Sequence, residues 1–165
     1  MLRLGASLML LATAASAQPV GHTYEGYWIW DPTQSTLPSN LGEGPAIVGD
    51  VMQIAHDDGS RFAARFDEYF ANNTEAAMIV DVPEDGTEHV VNDGRNPPTM
   101  ASVSILPDGG LHIMFRWGSE ANDSGCKLWD NGNKLTCAGT HVRNGTTAPF
   151  ICFYRRDPHV IRVAP

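Results

Sequence analysis

The sequence predicts an all-β protein, an antiparallel up-and-down barrel of about eight to ten strands. Three observations carry this expectation. No helical period runs long enough to specify a helix, whereas short β-branched and aromatic stretches recur at roughly 8–12-residue intervals with turn residues between them. The last quarter, residues 125–156, contains Asn131-Gly132 and Asn144-Gly145, each flanked by such stretches. Asn-Gly is the preferred pair for a type I′ hairpin turn, which needs positive φ at both central residues. The hairpins also follow one another along the chain, so the simplest way to remove the open sheet edges is to close the sheet on itself.

Tyr24 to Trp30 is an aromatic strand, with Tyr24, Trp28 and Trp30 on one side by period 2, and Asp31-Pro32 ends it. Residues 33–45 have no periodicity and form a long irregular connection. Ile47 to His56 is a second strand, turned by Asp57-Asp58-Gly59-Ser60 into a third, Arg61 to Phe70, where Phe62, Ala64 and Phe66 alternate with Ala63, Arg65 and Asp67. Ala76 to Val82 and Glu88 to Val91 follow as short strands. Beyond a polar loop, Thr99 to Leu106 and Leu111 to Trp117 form a hairpin around Pro107-Asp108-Gly109-Gly110. Leu111, Ile113, Phe115 and Trp117 take one face of the second strand, and His112, Met114 and Arg116 take the other. Gly118 to Ser124 reads as a loop leading into the terminal meander.

The two Asn-Gly turns fix the register of that meander. Leu128 faces Leu135, Leu135 faces Tyr154, and Cys126, Cys137 and Cys152 form one row across three strands. Their face also carries Phe150, while Lys127, Lys134, Thr136, Thr140 and Arg155 occupy the other, so one side is core and the other is wet. Pro149 falls opposite Thr140 in a non-hydrogen-bonded pair, where its missing N–H costs nothing. The expected disulfide is Cys126–Cys137, across the tighter turn, with Cys152 left as a thiol. A three-cysteine metal site is the weaker reading, because oxidation competes and no Cys-x-x-Cys is present.

The N-terminus carries Arg3, an apolar run around Leu8 to Leu11, and Ala15-Ser16-Ala17, the three parts of a secretory signal. Residues 1–17 are therefore expected to be a signal peptide and residues 18–165 one exported domain, secreted or periplasmic. The apolar run is shorter than the ~20 residues a spanning helix needs, so an integral membrane protein is not expected. The net charge of −8 reflects 11 Lys and Arg against 19 Asp and Glu with no basic run. Nucleic acid and anionic membrane surfaces are poor partners for such a chain.

Gly26-x-Trp28 near the start and Arg156 near the end resemble the pattern of lipocalins and related calycin barrels, in which an arginine near the last strand packs over the tryptophan of the first. The chain also looks like a group of small exported bacterial lipocalin-like proteins, through Gly26, Trp28, Asp31 and Ser35 and through Leu135-Thr136-Cys137-Ala138-Gly139-Thr140. That group has no established activity to carry over. The resemblance implies a barrel held at its ends by Gly26, Trp28 and Arg156.

No catalytic constellation is legible. The six histidines are dispersed without a His-x-His or His-x-x-x-His pair, and no nucleophile elbow, phosphate loop or dinucleotide fingerprint occurs. An enzyme is thus the weakest reading, and no cofactor is expected. Asp57-Asp58 and Asp67-Glu68 read as solvated turn and edge residues. The leading expectation is a barrel that binds a small apolar ligand in its cavity, with Trp28, His112, Met114, Arg116 and His141 as candidate contacts. The alternative is a protein-interaction module such as a protease inhibitor, working through Gln18 to His22 or Thr33 to Pro45.

Overall fold

The alternation of the sequence becomes ten antiparallel strands: β1 Gly26–Trp30, β2 Ile47–Asp57, β3 Arg61–Phe70, β4 Glu75–Pro83, β5 His89–Val91, β6 Thr99–Ile105, β7 Leu111–Trp117, β8 Glu120–Trp129, β9 Lys134–Arg143 and β10 Thr146–Arg156. The computed structural model describes residues 23–158 apart from Glu43, so the expected signal segment and Gln18 to His22 lie outside the described residues. The sheet runs β4-β3-β2-β1-β10-β9-β8-β7-β6-β5. Every neighbouring pair except β1–β10 is consecutive in the chain, as in a meander. The two outer strands approach each other without a ladder, which makes the barrel nearly closed.

The terminal registers are those set by the turns. Cys126 pairs with Cys137, Leu128 with Leu135, Cys152 with Cys137 and Pro149 with Thr140. Asn131 and Gly132, at φ 54 and 81, and Asn144 and Gly145, at φ 50 and 75, supply the positive dihedrals of two type I′ turns. One boundary differs from expectation. Gly118, at φ 61, opens a two-residue turn, so residues 120–124 are strand rather than loop and pair with β7 along its length. Gly139 is fixed by space rather than dihedral. A Cβ there would collide with the Asp123 carbonyl oxygen and sit 2.7 Å from Ser124 Cα, so any side chain would force β8 and β9 apart.

The closed end of the barrel is built around Tyr24 and Trp28. Trp28 is fully buried and donates its indole N–H to Tyr24 O at 2.9 Å. Tyr24 Oη accepts the Leu111 N–H at 3.1 Å and lies 2.9 Å from Gly109 O and 3.1 Å from Cys126 O. Around them pack Ile54, Phe62, Val80, Val82, Val103, Leu111 and Leu135. Each such side chain is worth about 1.5–3 kcal/mol when fully buried.

Trp28 pairs with Arg156 across β1 and β10, and the guanidinium carbon lies 4.7 Å from the indole centroid. Arg156 Nη2 also donates to Thr23 O at 3.3 Å. Gly26 packs against the stack with a φ of +151, which side chains rarely adopt, and a Cβ there would touch Arg156 Cζ at 3.4 Å. Gly26, Trp28 and Arg156 are thus one structural unit.

Asp57 and Glu84 are buried at this same end, at 7% and 9% exposure. Asp57 Oδ2 accepts the Tyr24 N–H at 2.6 Å and Glu84 Oε2 accepts the Gly59 N–H at 2.5 Å. Each leaves one oxygen, Asp57 Oδ1 and Glu84 Oε1, without a donor from the rest of the described protein. A proton on Glu84 supplies the missing donor between them. Burial first, and the hydrogen bond and charge of Asp57 next, push the Glu84 carboxyl up to about 8. Asp57 is therefore not the solvated turn residue expected from sequence, although Asp58 is, capping the Ser60 and Arg61 amides at 2.9 Å.

Two measurements check this end of the barrel. Arg156→Lys replaces a planar cation with a compact one, and chemical denaturation followed by tryptophan fluorescence should show a loss of roughly 0.5–2 kcal/mol. Because the folded state holds the Glu84 proton more tightly than the unfolded chain does, its contribution to stability is complete below the ordinary carboxylate range. It is lost as pH rises towards about 8. The melting temperature should therefore fall between pH 5 and about 8, and Glu84→Gln should flatten that slope.

Candidate functional site

Above the closed end the strands stop meeting across the interior and leave a cavity of about 630 Å³. That volume lies within the range of small-molecule sites, about 300–1,000 Å³. Its walls come from the inward positions of nearly every strand: Trp30, Met52, Phe66, Phe70, Met78, Ile113, Phe115, Trp117, Phe150 and Tyr154. Phe66 and Phe115 meet edge to face across the lumen, with centroids 5.4 Å apart. The Cys126–Cys137 bridge, with Cα atoms 4.0 Å apart, forms part of the wall.

The irregular connection between β1 and β2 crosses the other end, contributing Leu37, Pro38, Leu41 and Pro45 to the lining. Asp31 starts it by accepting from Thr33 Oγ1 at 2.6 Å, Gln34 Nε2 at 2.6 Å and Thr33 N at 3.0 Å, bonds that hold its carboxyl below the usual range. Ser35 Oγ donates to Asp31 O at 2.7 Å and accepts the Phe153 N–H at 2.9 Å. Thr36 and Ile151 exchange backbone hydrogen bonds at 2.8 and 3.0 Å. Asn40 Nδ2 then donates to His141 O and Thr146 O, and its Oδ1 lies 2.9 Å from His141 Nδ1. The stretch Thr33 to Pro45 is thereby fastened to β9 and β10.

His141 lines the cavity and is 4% exposed, and burial lowers its pKa. It is the one member of the expected contact set placed in the wall. Trp28 lies below the lumen, covered by Arg156. His112, Met114 and Arg116 need correction: they are on the outer surface. His112 Nε2 is 2.7 Å from Asp123 Oδ1, and Arg116 forms a bidentate pair with Glu88 at 2.9 and 2.5 Å. The reason is period 2, since Leu111, Ile113, Phe115 and Trp117 of β7 already occupy the inner face.

The polar groups that do face the cavity lie on the strands read as apolar. Asp50 and Glu68 are cross-strand partners on β2 and β3 and both line the lumen. Tyr154 donates its hydroxyl to Asp50 Oδ2 at 2.6 Å. Glu68 lines the cavity and is exposed to solvent. Burial raises the carboxyl of Asp50 to about 6 and that of Glu68 above its ordinary value. Cys152 is a buried free thiol beside them, pushed up to about 12 by burial and then by Asp50. Opposite, Arg143 Nε pairs with Glu120 Oε1 at 3.3 Å and donates through Nη1 to Leu41 O.

Period 2 carried up from Met52 and Phe66 would have placed Asp50 and Glu68 inside, so the signal for them was present. Among the described residues no three His, Cys, Asp or Glu side chains gather as a metal site requires, and no helix is long and apolar enough to cross a membrane.

No protein-family model matches the chain, and no curated protein matches it in sequence. Among solved structures it is similar to the fluorescent protein UnaG, in wild-type form and as a point mutant, each at 17% identity and a TM-score of 0.53. Those matches cover 81% and 82% of this chain and 97% of UnaG. A zebrafish ileal bile acid-binding protein complexed with cholic acid also aligns, at 18% identity and a TM-score of 0.48 over 81% of this chain and 98% of that one. The likeness to UnaG is one of fold, an antiparallel barrel.

A thiol buried in this wall, with its thiolate so disfavoured, is a poor nucleophile. In the native protein Cys152 should resist a maleimide or disulfide reagent, and it should react stoichiometrically once denaturant opens the barrel. Rapid labelling of the folded protein would show that β10 opens locally.

Proposed function

We propose that this protein is an exported barrel that binds a small, largely apolar molecule in its lumen. The observation that carries the reading is the cavity of about 630 Å³, walled by Phe66, Phe115, Met52, Met78, Ile113 and Phe150. Apolar walls with a few fixed polar groups are the usual composition of a ligand site. A barrel filled by its own side chains would leave no such space. Here only the closed end is filled in that way.

Export rests on the charged, apolar and small-residue parts of residues 1–17. The Cys126–Cys137 bridge agrees with a secreted or periplasmic location, where disulfides persist. The acidic chain has no basic run to recruit nucleic acid.

Native mass spectrometry of protein purified without detergent should reveal a retained small molecule, and a neutral fluorescent probe such as Nile red should bind at one site per chain. Met78→Trp, which puts an indole into the lumen, should abolish probe binding while leaving the melting temperature within a few degrees of wild type. Unchanged probe binding in that variant would place the site elsewhere on the protein.

A further inference from the structure

The two carboxylates inside the lumen say more about the occupant than its apolar wall does. Asp50 is met by the Tyr154 hydroxyl and by the backbone amide of its neighbour Val51, whereas Glu68 receives no hydrogen bond from the described residues. Among those residues no cation forms an ion pair with either. The cavity's own arginines are engaged elsewhere, Arg143 by Glu120 at 3.3 Å and Arg95 by Asp93 at 3.4 Å. Trp30, 8% exposed, lines the same cavity with its indole N–H turned to the Cys152 thiol. The rings of Phe66, Phe70, Phe150 and Tyr154 share this wall. Aromatic faces and carboxylates together are the chemistry that recognises an alkylammonium group.

We propose that the ligand is an amphipathic amine, its apolar body against Phe66, Phe115 and Met78 and its ammonium group at Asp50 and Glu68. This rests on the ligand-binding reading above and specifies the ligand class. A carboxylate ligand would meet two like charges and no free cation, and a neutral one would leave the desolvated Asp50 carboxylate without a counter-charge. An ammonium group supplies a donor to Asp50 and a counter-charge to Glu68 beside it. It also accounts for acidic residues at inward positions of two adjacent strands.

The site is proton-linked. Asp50 is faced by Tyr154 and Cys152 from β10 and by Glu68 from β3, while Asp67, paired with Arg65 on the outer face, acts on it at longer range. Arg95, from the loop after β5, acts at longer range on Glu68. Burial and the neighbouring acids favour the neutral Asp50 carboxyl up to about pH 6, and an ammonium ligand favours the ionised form. Amine binding should therefore release a proton near that pH and weaken in more acidic solution.

Calorimetric titration of the full chain with decylamine, decanol and decanoate, each below its aggregation limit, separates the possibilities. At about pH 7.5 decylamine should bind about tenfold or more tightly than decanol, the gain expected of a charge-assisted hydrogen bond. Decanoate should bind more weakly than decanol, and the amine's advantage should shrink at about pH 5, below the Asp50 transition. In Asp50→Asn/Glu68→Gln, checked for folding by thermal unfolding, the advantage of decylamine over decanol should vanish. Equal binding of all three by the wild type, or tighter binding of decanoate, overturns the amine assignment and leaves the ligand-binding reading standing. No binding of any of them removes both. An amine preference that survives in the double variant removes the assignment of Asp50 and Glu68.

Discussion

The contact on which the barrel depends is the pairing of its two chain ends, β1 against β10, with Arg156 lying over Trp28. All other ladders join strands that are neighbours in sequence, so each can form as a local hairpin. The β1–β10 ladder is the exception. It brings residue 28 against residue 156, and only when it forms does the open meander become a closed wall around an interior. Loop closure over so long a span carries an entropic cost that the short ladder alone recovers poorly. The buried indole, its hydrogen bond to Tyr24 and the stacked guanidinium all act at that junction. Gly26 beside it takes a φ of +151, which side chains rarely adopt.

From this closed end the interior changes character along the strands. On β2 the inward sequence runs Ile54, Met52, Asp50, and on β3 it runs Phe62, Ala64, Phe66, Glu68. The deep layer is fully packed, the middle layer is apolar with space left over, and the upper layer is charged. A packed base gives rigidity to a site whose middle is empty. The charged layer sits where the connecting segment, fastened by Thr36 and Asn40, passes across the end of the barrel. The placement of the acids is therefore a property of two strands in register, not of a mobile loop.

Much of the fold is legible in the chain because its signals are local. The Asn-Gly turns need positive φ, and that requirement by itself pairs Cys126 with Cys137 and Pro149 with Thr140. Gly26, Trp28, Asp31 and Ser35 are all bonded or packed to β10 or to one another. The site is less legible, for two physical reasons. First, histidines and arginines qualify as ligand contacts by chemical type, yet His112 and Arg116 sit at positions whose strand neighbours already fill the inner face. Second, β2 departs from strict alternation. Register shifts between Ile47 and Gly49 and between Ile54 and His56 insert extra residues, so Asp57 turns inward where simple period 2 puts His56. A bulge of this kind leaves no clear mark in the sequence.

The two inward-facing acid pairs meet their surroundings in different ways. At the closed end Asp57 and Glu84 each accept a backbone N–H, and burial and mutual repulsion favour a proton between their remaining oxygens. That pair is complete within the protein. Asp50 and Glu68 have one tyrosine hydroxyl and one backbone amide between them, and otherwise open onto a space large enough for a guest. Desolvation alone would favour replacing them with apolar residues, as the adjacent Met52 and Phe66 show is sterically natural at this spacing. Carboxylates are worth holding in a nearly apolar lumen when a counter-charge arrives with the ligand, because a charge is costly only while it lacks a partner. The internally satisfied pair belongs to the base of the barrel, and on the amine proposal the incompletely satisfied pair selects what enters it.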